Sequence, residues 1–123
     1  MKRISGVLAA LALLGAASPA LAARAPSGAE KQAITSAIRA SLVKSGSPAA
    51  KSVVVSGIKV STRNAHWAVA DIHAPEADDA VVALRKVGRT WKVKNLGTSQ
   101  VQCGIGMPKA VQQELFRSTN CAT

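Results

Sequence analysis

The rhythm of polar and apolar positions shifts along this chain near residue 50. Before that point Ile34, Ala37, Ile38, Ser41 and Leu42 recur at steps of three and four, while Lys31, Thr35, Arg39 and Lys44 fall mostly outside the stripe. That is the spacing of an amphipathic helix. Ser27 and Glu30 stand three residues apart ahead of it, as a capping box requires, and Gly46 and Pro48 stop it. The pattern predicts a helix over 28–44.

From residue 52 onward valine dominates, joined by isoleucine, threonine and tryptophan and broken at intervals by turn formers. Four strands are predicted, 52–62, 66–74, 80–87 and 90–96, with turns at 63–64, 75–78 and 88–89. Strict alternation in the first places Val54, Ser56, Ile58 and Val60 on one face and Val53, Val55, Gly57, Lys59 and Ser61 on the other. In the second, Trp67, Val69, Asp71 and His73 share a face, opposite His66, Ala68, Ala70 and Ile72. After Gly97 the alternation lapses into a glycine-punctuated loop. Pro108, suited to a helix start, then opens a short helix with Val111, Leu115 and Phe116 on its apolar side. The fold class is α+β: an N-terminal helix packed on a four-stranded antiparallel meander, followed by a short C-terminal helix.

The first 22 residues follow another pattern. Lys2 and Arg3 precede an apolar stretch over 7–14, then come Gly15, Pro19 and the small-residue site Ala20-Leu21-Ala22. A basic start, a short apolar run and an A-x-A site are the parts of a cleavable secretory signal, and the run falls short of the ~20 apolar residues of a membrane span. The expectation is a signal peptide over 1–22, one mature domain over 23–123, a secreted or periplasmic location, and no membrane span after cleavage. Cys103 and Cys121 then read as a disulfide formed in an oxidising compartment and tying down the C-terminal helix. Two cysteines without a CxxC or HxxxH partner fall short of a zinc site, so no metal and no cofactor is expected.

The order of elements resembles the cystatin-like and NTF2-like group of helix-on-sheet folds. The wording of 66–69, of 82–93 and of the Cys103…Pro108…Val111…Leu115…Cys121 series is similar to a set of small secreted bacterial proteins of unassigned function. The resemblance spans about 27–121 and implies a layout without implying an activity. The short Gln-Val-x-Val-x-Gly contact motif of cystatin inhibitors is absent: Val53-Val54-Val55-Ser56-Gly57 lacks the glutamine, so inhibition does not carry over.

Charge changes the picture most. Sixteen basic residues face six acidic ones, and removing Lys2 and Arg3 with the leader leaves fourteen against six, a charge of +8. Arg85, Lys86, Arg89, Lys92 and Lys94 crowd into ten residues around Gly88, while no acidic residue lies between Asp79 and Glu114. These five cations are the candidate binding residues, and the candidate partner is an acidic envelope component or an acidic protein. As a solvated hairpin edge they need no partner at all. Nucleic acid is not expected of an exported chain with three aromatic residues and no binding motif. Trp67 and Trp91 read as core, Trp91 sharing a face with Val93.

No G-x-S-x-G frame or phosphate loop is present, and no catalytic residue is assigned. The alternative is a small pocket enzyme using Asp71 and His73, which share a strand face two residues apart, close enough for a carboxylate to orient an imidazole. If Trp67 and Val69 pointed under the helix, this pair would rim an NTF2-like pocket. The functional expectation is an exported, non-catalytic interaction module with a basic hairpin.

Overall fold

A computed structural model describes residues 23–75 and 77–121; the expected signal peptide over 1–22 lies outside the described residues. Helix α1 (Gly28–Lys44) begins with the capping box: the Ser27 hydroxyl accepts the Glu30 amide at 3.1 Å, and the Glu30 carboxylate accepts the Ser27 amide at 2.9 Å. Arg24 donates to both oxygens of the same carboxylate, at 2.7 and 2.8 Å. These hydrogen bonds, first from Arg24 and then from Ser27, hold the Glu30 carboxyl down to about 2. Ile34, Ile38 and Leu42, the heart of the stripe, are buried.

A short 3-10 turn, Pro48–Ala50, carries the chain into β1 (Val54–Val60), β2 (Trp67–Ala74), β3 (Ala77–Val87) and β4 (Thr90–Gly97). They form one antiparallel sheet in the order β1-β2-β3-β4, the expected meander. Helix α2 (Lys109–Phe116) follows, and a Cys103–Cys121 disulfide ties the C-terminal segment. The turn expected over 75–78 gives way to strand: Ala74 registers with Ala77, so β3 starts three residues earlier than position 80 and carries Asp78 and Asp79 into the sheet. No helix of the described residues is long and apolar enough to cross a membrane.

The faces of β1 differ from strict alternation. Ser56 pairs with Asp71 but Lys59 pairs with Val69, so one extra residue sits in β1. Such a bulge reverses the phase of every residue beyond it. Val53 and Val55 before it, and Ile58 and Val60 after it, all pack toward α1. Gly57 makes this possible, with a φ of +58° and no side chain where the Asp71 carboxylate lies across it.

Both sheet faces are covered, but unequally. α1 buries Ala68, Ala70, Ile72, Val82, Leu84 and Trp91 on one face. Trp67, Val69 and Ala83 belong to the other, closed by Val101, Met107, Val111 and Leu115. Trp67 and Val69 therefore do not point under α1; the C-terminal segment covers them. This second lid stops halfway. Along β2 burial is continuous from Trp67 to Ala70, yet Asp71 and His73 are exposed.

Glu114 fastens the lid at its near end. Its carboxylate accepts the Ser61 hydroxyl at 2.5 Å and the Thr62 amide and hydroxyl at 2.8 and 2.7 Å. Burial pushes the Glu114 carboxyl up, but those hydrogen bonds outweigh it and hold the group below its usual range.

Candidate functional site

The five hairpin cations sit on a short, rigid ladder. Val87 and Thr90 register across the two-residue turn Gly88-Arg89, where Gly88 takes a φ of +63° as the first turn position of such a hairpin favours. Arg85 on β3 stands directly opposite Lys92 on β4, and Trp67 on β2 directly opposite Arg85. Like charges opposite one another destabilise a sheet. No carboxylate relieves them: among the described residues the ion pairs are Arg24–Glu30 and His73–Asp79, and neither involves a hairpin cation.

Aromatic rings seat two of these cations. The Arg85 guanidinium lies 5.3 Å from the centre of the Trp67 ring, and the Lys86 ammonium 6.0 Å from that of Trp91, both within cation–π range. The rings themselves are core, 2% and 4% exposed. Because Trp67 belongs to the lid face and Trp91 to the α1 face, the cations are not one ridge. Arg85 and Lys92 occupy one face, Lys86 the other, and Arg89 the turn between them. Lys94 falls at the second bulge of the sheet, where Val93 pairs with Leu84 but Asn95 with Ala83. It is exposed, without a cross-strand partner of its own.

A neighbouring loop adds to this end. The β1–β2 connection lies beside the hairpin, its His66 carbonyl accepting the Lys86 amide at 2.7 Å, and it presents exposed Arg63 and His66. In the sequence 63–64 reads only as a turn. The signal was nonetheless there: in an up-and-down meander the first and third connections share one end of the sheet.

The opposite end holds three of the described carboxylates. Asp71, Asp78 and Asp79 lie there, while Glu30 and Glu114 are committed to internal bonds. His73 is oriented by Asp79, its Nδ1 2.5 Å from an Asp79 carboxylate oxygen, and not by Asp71 as the strand spacing suggested. The early start of β3 is the reason. Asp71, His73 and Asp79 border an open hollow of about 300 Å³ with Ser56, Val81 and Thr98. Both members of the His73–Asp79 pair are mostly solvated, at 62% and 77% exposure of their side chains, so water screens their interaction.

The two histidines lie near opposite ends of β2, His66 just ahead of Trp67. Among the described residues no three histidine, cysteine or acidic side chains are grouped to hold a metal ion. No family model, no curated protein and no solved structure matches this chain.

Proposed function

We propose that this protein is an exported, non-catalytic interaction module that meets an acidic partner through the β3–β4 hairpin. The observation that carries the reading is the Arg85–Lys92 pair: two like charges in direct register, without a carboxylate in ion-pair distance of either. For the fold alone that arrangement is a cost; for an anionic partner it is a preorganised double contact, with Arg85 already seated on Trp67. The disulfide suits the oxidising compartment to which the leader would send the chain. One helix laid across a bulged antiparallel meander also suits the cystatin-like layout, taken as architecture only.

The hairpin reading is tested by elution from immobilised polyaspartate. A variant carrying Lys86→Gln, Arg89→Gln, Lys92→Gln and Lys94→Gln is expected to leave at much lower salt than the wild type. Identical elution of the two would reduce the charge to a solubility device. In the pocket-enzyme alternative Asp79 would take the place of Asp71 beside His73.

A further inference from the structure

We infer that the acidic partner is the anionic surface of a lipid bilayer, met end-on by the tip of the sheet; this rests on the hairpin reading above. The distribution of the cations carries it. Arg85 and Lys92 project on the face covered by the C-terminal segment and Lys86 on the α1 face, each side anchored on its own buried tryptophan. A folded acidic protein lying on either face would leave the other face's cations unused. A plane of mobile headgroups approached tip-first reaches both faces, Arg89 in the turn, and Arg63 and His66 in the adjoining loop. Val87, the last paired residue before the turn, is 50% exposed. It stands among these cations, as an apolar group at headgroup depth does in interfacial binders.

The rest of the molecule favours the same orientation. β3 runs eleven residues from the Asp78–Asp79 end to the hairpin, roughly 35 Å of extended chain. That is several times the Debye length of about 8 Å at physiological salt. The leaflet therefore feels the cationic tip and is blind to Asp78 and Asp79 behind it, while Glu114, beside the 61–66 connection, is engaged by Ser61 and Thr62. Two of the cations also lose little freedom on docking, because Trp67 and Trp91 already hold them.

The test is co-sedimentation of the mature chain with phosphatidylglycerol-rich and with pure phosphatidylcholine vesicles at low and high salt. Binding is expected to the first only, and to fade as salt rises. Each cation near an anionic leaflet contributes about fivefold to partitioning, so Lys86→Gln/Arg89→Gln/Lys92→Gln should weaken binding about 100-fold. The same charge removed outside the hairpin, as Lys31→Gln/Lys44→Gln/Lys51→Gln, should cost no more than about fivefold. Val87→Asn should cost about threefold with charge unchanged. Emission from the two buried tryptophans verifies folding in each variant. Equal losses in the two triple variants would overturn the inference, since net charge would then suffice. So would absence of wild-type binding to anionic vesicles. In that event hairpin-dependent retention on polyaspartate keeps the hairpin reading alone, and its absence removes both.

Discussion

The two ends of the sheet handle charge in opposite ways. At the end where β2 meets β3 a histidine and an aspartate face each other, His73 on Asp79, and the pair is solvated. At the Gly88 turn an arginine and a lysine face each other, with no carboxylate at hand, and the cations are seated on buried rings. The first arrangement needs nothing from outside the chain. The second is stable only because packing beneath it is strong, with Trp67 and Trp91 embedded in separate cores on the two faces. A fold that seats unpaired charge on its firmest packing and leaves paired charge on its open half is organised around the unpaired charge.

The largest effect should come from removing the disulfide. Cys103→Ser/Cys121→Ser reopens a loop with a sequence separation of 18, which corresponds to about 3 kcal/mol of lost stability. The loosening should be one-sided. Amide exchange is expected to rise around Trp67, Val69 and Ala83, which the tethered segment covers, more than around Ile34 and Ile38 of α1. Uniform loss across both faces would erase the distinction between a self-supporting face and a stapled one.

Next in size is Glu114→Ala, which leaves the buried Ser61 hydroxyl and the Thr62 amide without their charged acceptor and should cost about 2 kcal/mol in a urea melt. Glu114 and Glu30 also set the acid limb. Both carboxyls are lowered in the folded state, so the stability they contribute is present above their ordinary value of 4.5 and is lost as pH falls below it, for Glu30 down to about 2. Stability should decline over that window, and the decline should be shallower in Glu30→Gln.

A smaller effect of opposite sign is expected at the hairpin. Lys92→Glu converts the Arg85 register pair from like to unlike charge, and should stabilise the fold by about 0.5–1 kcal/mol while weakening retention on polyaspartate. A stabilised variant with undiminished binding would separate the pair from function. Smallest of all, Asp71→Ala and His73→Ala should each move stability by less than about 0.5 kcal/mol and leave retention unchanged. At Asp71 this also checks that the carboxylate merely lies over Gly57.

Much of the architecture was legible because it rests on local chemistry. Ser27 and Glu30 form the capping box that their spacing promised; Ile34, Ile38 and Leu42 are buried; Gly88 turns the hairpin; Cys103 and Cys121 are joined. What escaped was non-local. The bulge at Gly57 reverses the phase of β1 through the register with β2 and the space left beneath Asp71, neither of which a pattern within 52–62 contains. The covering of Trp67 by the C-terminal segment depends on how the chain returns after β4, and its loop carries no periodicity. The pairing of His73 with Asp79 required the register of β3, set by Ala74 and Ala77. At the candidate site, the five cations could be read off directly, but their division between two faces could not.

The central claim is that the Gly88 end of the sheet, and not the Asp78–Asp79 end or the outer side of α1, meets the anionic partner. Titration of the isotopically labelled mature chain with polyaspartate, followed through backbone amide shifts, tests this most directly. The account predicts that the shifts which saturate and collapse with salt map to 63–66 and 85–92, with α1 and 71–81 silent. Shifts centred on α1 or on the Asp71–Asp79 end, with the hairpin silent, would contradict it.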